Sequence, residues 1–285
     1  MIMMSRLNWR VRELIFAIVR PLFHLGVRAS PHLAGKLVPL AGHGDSFVQK
    51  RRAKEEVPPA GLWVGYADSA EEFLADGRAD MDSVVALLER HGVALPRVVL
   101  DLGCAAARMT RHVPRVEGSE IWGADLSAPH VNWCQRNLPD LNFVTVSTAP
   151  HLPFPDDHFD FVFCASVFTH MTDLADAWLL EIRRVLKPGG HLYLTIHDKV
   201  SAEEMQTSYA KVVPTTAARL RILDRRQGIS DPECEMFYFD ADPASQVFYD
   251  RDFITRKWGK WMRLLAYEER FHNYQSALLF EKAAD

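Results

Sequence analysis

One stretch decides the fold: Arg97-Val98-Val99-Leu100-Asp101-Leu102-Gly103-Cys104-Ala105-Ala106-Ala107-Arg108. Residues 98–102 are apolar apart from Asp101, which is typical of a parallel strand covered on both faces. Gly103 and then only small residues follow, up to Arg108. Doubly wound α/β sheets bind their ligands at such junctions. We therefore expect a buried strand, a turn and a helix beginning near Ala106, with a ligand site between them.

Composition limits the classes of function. The chain has 285 residues, 48% of them hydrophobic and 25% charged, and a formal net charge of -4. Phosphate binding needs a basic surface, so nucleic acid is not expected as a main partner. The four cysteines include no CxxC pair, which indicates reduced thiols in a cytoplasmic protein. No metal site is predicted. No secretory signal and no apolar run of about 18–20 residues, as a membrane span requires, is found.

The first sixty residues are expected to form a helical extension and a linker. Residues 5–28 have apolar positions at helical spacing and five arginines against one acid. Such a helix either lies on an anionic membrane surface or packs on its own domain, and we favour packing. Residues 29–61 are rich in Pro, Gly and charge, which is typical of a linker.

Strands and helices alternate through the rest of the chain. A helix is predicted from Ala70 to His91, and further helices after Ser127 and Asp173 and over residues 201–213. The other predicted strands are Ile121–Asp125, Leu141–Val146, Phe159–Ser166, His191–His197, Met262–Glu268 and Tyr274–Glu281. The last two are close enough for an antiparallel hairpin. We therefore predict an α/β fold: a doubly wound, seven-stranded, mostly parallel sheet with a terminal antiparallel hairpin and helices on both faces.

Two acids mark the ends of the first two strands. Asp125 follows Asp101 by 24 residues, a position from which a carboxylate can accept hydrogen bonds from two ribose hydroxyls. The positive end of the helix expected near Ala106 would face the same crevice. Asp125 could instead cap the next helix, but Ser127 can take that role and leave Asp125 free. The pair therefore indicates an adenosine-containing cofactor.

The turn after the first strand distinguishes between cofactors. A dinucleotide site needs a G-x-G-x-x-G turn, whereas this turn has one glycine, Gly103. Asp101 would also repel the phosphates of a dinucleotide. A cationic cofactor without phosphate, such as S-adenosylmethionine, suits this strand end better.

Together, several segments resemble class I S-adenosylmethionine-dependent methyltransferases. They are residues 98–104, Asp125, the turn at residues 151–156, residues 159–163 and residues 181–190. The resemblance covers residues 97–198 closely and implies a domain over residues 61–285, with residues 97–198 as the cofactor-binding half and 199–250 as a substrate-side insertion. Residues 166–171 are also similar to a subgroup that acts on small molecules, often sugars or secondary metabolites.

The resemblance implies a role for each matched position. Asp101, Gly103 and Cys104 would line the methionine end of the cofactor, Asp125 would hold the ribose, and Leu126 would pack on the adenine. Ser166 would lie near the methionine end or the reactive centre. The other predicted cofactor-binding residues are Ala105, Arg108, Thr148 and Ala149.

Two departures from the family pattern keep a second hypothesis open. Relatives usually carry glycine where Ala105 and Ala107 stand, and each alanine would cost about 1 kcal/mol if its φ must be positive. Thr148 stands where relatives place an acid that receives the adenine amino group. A cofactor-fold binding protein without turnover is therefore an alternative to an enzyme.

Two histidines are candidate catalytic bases, because a hydroxyl acceptor benefits from a base that titrates near neutrality. His170 follows the fourth strand and His197 the fifth. His170 could instead shape the substrate wall, and His197 could be a loop residue near the surface. The sequence favours O-methylation of a small molecule, a sugar or secondary metabolite, while the basic residues 5–28 leave a lipid or quinone acceptor open. It does not determine the acceptor or the oligomeric state.

Overall fold

The computed structural model describes residues 57–63, 67–227, 236–238 and 246–283. Residues 1–56 lie outside this set, so the N-terminal extension and the membrane contact proposed for residues 5–28 stay predictions. The domain boundaries predicted at residues 60, 198 and 250 also stay predictions.

Seven strands form one sheet in the order β3-β2-β1-β4-β5-β9-β8, and two short strands form a separate ribbon, β6-β7. The strands are β1 (Val98–Leu102), β2 (Glu120–Asp125), β3 (Asn142–Thr145), β4 (Phe159–Cys164), β5 (Leu186–Ile196), β6 (Met236–Tyr238), β7 (Val247–Tyr249), β8 (Arg263–His272) and β9 (Gln275–Glu281). Strands β1 to β5 run parallel, while β9 is antiparallel to both β5 and β8. The predicted sheet and its terminal hairpin are confirmed.

Six α-helices accompany these strands in the described part of the chain. They are α1 (Ala70–Arg90), α2 (Ala128–Asn137), α3 (Ala175–Val185), α4 (Lys199–Gln206), α5 (Pro214–Gln227) and α6 (Arg251–Trp258). The Ser69 side chain caps α1 by accepting a hydrogen bond from the Glu72 backbone N–H, and Gly92 with φ 70° follows its end.

Two apolar clusters fill the faces of the sheet, and the alternation of β1 divides its residues between them. Leu100 and Leu102 pack in the cluster that contains α3, whereas Val99 packs in the cluster that contains α1. Strand β1 is thus covered on both faces, as its apolar run predicts. The helices cover the two faces of the sheet but not the carboxyl ends of its parallel strands. Polar side chains lie at this edge.

The helix expected near Ala106 is absent, and this prediction was wrong. Residues 105–109 form turns, and a 3₁₀-helix, Thr110–His112, follows. Ala105 has φ 43° and Ala107 has φ 60°, in the left-handed region. A right-handed helix cannot run through two such residues, because each reverses the local handedness of the chain.

Three other boundaries differ from the sequence-based expectation. Strand β5 begins at Leu186 and runs through Pro188-Gly189-Gly190 with a register shift, rather than beginning at His191. Strand β4 ends at Cys164, before Ser166. The helix predicted over residues 201–213 ends at Gln206.

The residues beyond β5 build a small apolar layer of their own. Ala202 and Met205 of α4, Leu220 of α5 and Phe248 of β7 form its buried core. The Phe237 and Phe248 rings stack at 4.8 Å. These aromatic side chains therefore pack as part of this core. No helix among the described residues combines the length and apolar character needed to cross a membrane.

Candidate functional site

A cavity of about 40 Å³ opens at the carboxyl ends of β1 and β4. Its wall contains six of the predicted cofactor-binding residues: Asp101, Gly103, Cys104, Ala105, Arg108 and Ser166. The sequence-based reasoning missed several other members, namely Leu62, Trp63, Phe73, Ala106, Met109, Ala165 and His272.

Asp101 lies buried in this wall. Its Oδ2 accepts a hydrogen bond from the Thr110 hydroxyl at 2.5 Å. Burial raises its pKa to about 7; the negative charge of Asp125 adds to the effect, while the Thr110 hydrogen bond and Arg108 oppose it. A buried acid that resists ionisation gains most from a cation placed beside it. The electrostatics of the cavity therefore favour a positively charged ligand.

Asp125 is not free, contrary to the prediction. Its Oδ2 accepts a hydrogen bond from the Ala105 backbone N–H at 2.7 Å, and its Oδ1 accepts one from the Ser127 N–H at 2.7 Å. Ser127 makes no capping hydrogen bond, because its Oγ lies 2.5 Å from His130 Nδ1. A carboxylate has about four lone-pair positions, so two remain for a ligand such as a pair of hydroxyls.

The turn between these acids is closely packed. Gly103 has φ 87°, and its N–H donates to the Ala124 carbonyl at 2.7 Å. A Cβ at this position would overlap Cγ2 of Val167. A residue with a side chain is therefore disfavoured here, because its positive φ would be strained and its Cβ would overlap Val167.

The left-handed Ala105 leads to a stability prediction. Ala105→Gly is expected to raise the free energy of unfolding by about 0.5–1 kcal/mol, since relief of left-handed strain exceeds the entropy cost of glycine. Ala106 is buried with an ordinary φ, so Ala106→Gly is expected to lower it by about 1 kcal/mol. Urea denaturation measures both variants. Equal destabilisation by the two would contradict strain at Ala105.

An ion pair closes the side of the cavity nearest α1. Arg108 Nη1 lies 2.6 Å from Asp80 Oδ2. Gly77, one turn before Asp80, lets α1 approach this loop, because a Cβ there would overlap the Arg108 carbonyl oxygen. The glycine that interrupts the apolar pattern of α1 thus brings Asp80 to the cavity.

The terminal hairpin also reaches the site. Ser166 has φ 57°, and its N–H donates to Thr195 Oγ1 at 2.7 Å. Gln275, the first residue of β9, donates from Nε2 to Ser166 Oγ at 2.9 Å, and its Oε1 accepts from Thr195 at 2.6 Å. Side chains from β5 and β9 therefore hold Ser166 in a strained conformation at the cavity wall, a pattern associated with functional sites.

The residues predicted for the adenine side lie outside the cavity wall. Leu126 is 56% exposed, and Thr148 and Ala149 are exposed as well. The Thr148 carbonyl accepts a hydrogen bond from Trp178 Nε1 at 3.3 Å. Exposed apolar surface beside Asp125 is compatible with a flat ring stacking on Leu126, and the three assignments stay predictions.

The two candidate bases differ in their exposure to solvent. His170 is exposed at the end of a 3₁₀-helix, Phe168–His170. His197 is 1% exposed, with ring centroids of Phe248 at 5.2 Å and Tyr274 at 5.6 Å, so its interpretation as a surface loop residue was wrong. Burial, with a smaller contribution from nearby His170, lowers the pKa of His197 to about 3. A base of such low pKa is poorly matched to neutral pH. These observations favour His170.

The middle of the chain matches a known family. Residues 100–194 match the model of a family described as methyltransferase domain. A fatty-acid O-methyltransferase of Mycolicibacterium smegmatis is 31% identical over 154 residues, which cover 53% of this chain and 53% of that protein. UbiE of Burkholderia cenocepacia, a ubiquinone/menaquinone biosynthesis C-methyltransferase, is 35% identical over 107 residues, or 36% of this chain and 44% of that protein. The chain thus matches about half the length of these relatives.

A solved structure shares the fold. Magnesium protoporphyrin IX methyltransferase (ChlM) from Synechocystis PCC 6803, determined with bound S-adenosylhomocysteine, superimposes with a TM-score of 0.50 at 18% identity. The superposition covers 77% of this chain and 90% of that chain. At this identity the similarity concerns the fold alone.

Proposed function

We propose that this protein is a class I S-adenosylmethionine-dependent methyltransferase that transfers a methyl group from S-adenosylmethionine to a small molecule, since residues 100–194 match a methyltransferase-domain family. One observation carries the proposal. The carboxylates Asp101 and Asp125 end adjacent parallel strands and are joined by the turn at Gly103. Asp101 lines a cavity that favours a cation, and Asp125 keeps two lone-pair positions for hydroxyls.

The residues present fit this cofactor. Asp101 and the turn residues Gly103, Cys104 and Ala105 would hold its cationic end, and Asp125 would hold the ribose. A glycine-rich pyrophosphate cradle is missing from residues 103–108, which supports a cofactor without phosphate. When bound, S-adenosylmethionine supplies an electrophilic methyl group. The protein's contribution is to orient an acceptor in line with that group and to exclude water.

The acceptor is proposed to be an oxygen atom of a small molecule. One relative is named as a fatty-acid O-methyltransferase, and residues 166–171 resemble enzymes of sugars and secondary metabolites. A C-methyl transfer, as in the name of the other relative, is the alternative chemistry.

A binding protein without turnover is the second candidate function, because Ala105 and Ala107 occupy left-handed positions at a strain cost. The test incubates the protein with S-adenosylmethionine and a panel of hydroxylated small molecules, fatty acids and quinols, and measures S-adenosylhomocysteine release. Acceptor-dependent release supports the enzyme. Cofactor binding without release for any acceptor would support the binding protein instead.

His170 is proposed as the base for a hydroxyl acceptor. His170→Ala is expected to lower kcat at least about 100-fold, because general-base catalysis typically contributes that much. The affinity for S-adenosylhomocysteine should stay unchanged. His91→Ala is the matched control, since His91 is an exposed histidine beyond the end of α1, away from the cavity wall. An unchanged kcat for the His170 variant would exclude this role.

A further inference from the structure

His272 stands in the cavity wall with an unsatisfied nitrogen. It is the last residue of β8, at the tip of the terminal hairpin, and it is 4% exposed. Among the described residues, none forms a hydrogen bond with its Nε2. Buried polar atoms are nearly always paired, so an unpaired one in a side chain that lines a cavity indicates a ligand or an ordered water.

The neighbours of His272 define what that nitrogen can bind. Its Nδ1 lies 3.7 Å from Asp80 Oδ1, and Asp80 is also paired with Arg108. A neutral imidazole carries one N–H, and the adjacent carboxylate favours that hydrogen on Nδ1. Nε2 is then a hydrogen-bond acceptor.

A second acceptor in the same wall is Asp101. Its Oδ2 is engaged by Thr110, whereas no donor to its Oδ1 is found within the described part of the chain. Two acceptors without donors, one of them an acid whose ionisation is opposed by burial, suit a ligand that brings both N–H donors and positive charge. An ammonium group has these properties, while a sulfonium has no hydrogen to donate.

We infer that His272 is a further cofactor-binding residue, whose Nε2 accepts a hydrogen bond from the ammonium group at the amino-acid end of the cofactor, beside Asp101. The inference rests on the proposed function. It assigns the hairpin tip a part in holding the cofactor, in addition to the turn after β1.

The protonation state of His272 supports this assignment. Burial lowers its pKa, and Arg108 lowers it further, while Asp80 opposes the shift. His272 therefore stays neutral at physiological pH and keeps a lone pair on Nε2. Protonation would turn the acceptor into a donor and repel the ammonium.

The test compares two ligands by calorimetric titration. S-adenosylhomocysteine carries the amino-acid end, and 5′-methylthioadenosine lacks it. His272→Ala is expected to lower the affinity for S-adenosylhomocysteine about 10- to 100-fold, the usual effect of one hydrogen bond to a charged group. The affinity for 5′-methylthioadenosine should stay within about twofold of that of the unmodified protein. His272→Gln, which keeps an acceptor oxygen, is expected to restore most of the affinity.

His112→Ala is the matched control, because His112 Nε2 is likewise buried without a partner but lies outside the cavity wall. This variant should bind both ligands normally. An equal loss of both ligands in His272→Ala would overturn the inference in favour of a structural role. Unchanged S-adenosylhomocysteine affinity with a reduced kcat would overturn it in favour of a catalytic base. Absence of S-adenosylhomocysteine binding by the unmodified protein would instead overturn the proposed function.

Discussion

Replacing Asp125 with Ala is expected to weaken S-adenosylhomocysteine binding at least about 100-fold. Two ribose hydroxyls donating to one carboxylate form charge-assisted hydrogen bonds, each worth about 1.5–3 kcal/mol, and about 3 kcal/mol in total already exceeds a hundredfold change in Kd. The variant also releases the Ala105 and Ser127 N–H groups that Asp125 holds at 2.7 Å. The loss therefore combines the ribose contacts with the geometry of the turn.

Two further variants separate these contributions. Asp125→Asn keeps one acceptor oxygen but removes the charge, so an intermediate affinity is expected. Asp140→Ala removes an exposed acid in the loop before β3 and should bind normally. Titration calorimetry gives the affinities, and thermal melting shows whether each variant is folded. A folded Asp125→Ala protein with unchanged affinity would show that the ribose role is wrongly assigned.

Asp101→Asn is expected to stabilise the protein while impairing cofactor binding. Burial raises the pKa of Asp101 to about 7, compared with about 3.9 in an unfolded chain. A shift of this size makes the ionised residue a cost of about 2–4 kcal/mol at pH 8. The amide has no such cost, but it also lacks the charge that attracts a cationic ligand. A trade-off between stability and binding is expected at this residue.

The pH dependence follows from the direction of the shift. Below about pH 4 the carboxyl is protonated in both states, so the variant has no advantage. Between about pH 4 and pH 7 the unfolded chain ionises while the folded one keeps its proton, and the unmodified protein loses stability. Above about pH 7 both states are ionised and the difference is constant. Urea denaturation at pH 4, 6 and 8 measures this course.

Asp160 provides a control, because its pKa is shifted in the opposite direction to that of Asp101. Burial raises its pKa, but hydrogen bonds from Lys187 and from the Val98 N–H outweigh burial and leave the pKa lowered. Asp160→Asn is therefore expected to destabilise at pH 8, where Asp101→Asn stabilises. Destabilisation of Asp101→Asn at pH 8 with no dependence on pH would contradict a buried acid of raised pKa.

The sheet could be predicted from sequence because each strand carries its own local signal. The apolar runs of β1 and β4 indicate buried parallel strands, and the closeness of β8 and β9 indicates a hairpin. The order of the seven strands confirms the predicted fold class.

The turn after β1 could not be predicted, because local propensity and tertiary contacts disagree there. Three consecutive alanines favour a helix. The folded chain instead ties the Ala105 N–H to Asp125 and presses Gly103 against Val167, which places two alanines at positive φ. Both partners lie on other segments, so no local pattern contains this information.

The site was predictable where it follows β1 and not where it depends on distant segments. Asp101, Gly103 and Ser166 lie at strand ends, and the structure places all three in the cavity wall. His272 reaches the same wall through the hairpin, and Gln275 contacts Ser166 across 109 positions of sequence. The hairpin and its short turn were predicted from the sequence. Because β9 runs antiparallel to β5, the hairpin tip lies at the carboxyl edge of the sheet, and this was the available signal for a contact with the site.

Titration of the unmodified protein with S-adenosylhomocysteine and, separately, with NAD⁺ tests the central claim most directly. The two acids at the ends of β1 and β2 and the lone Gly103 predict saturable binding of S-adenosylhomocysteine at micromolar concentration and no heat with NAD⁺. Binding of NAD⁺ together with no response to millimolar S-adenosylhomocysteine would contradict a site built for a cationic, phosphate-free cofactor.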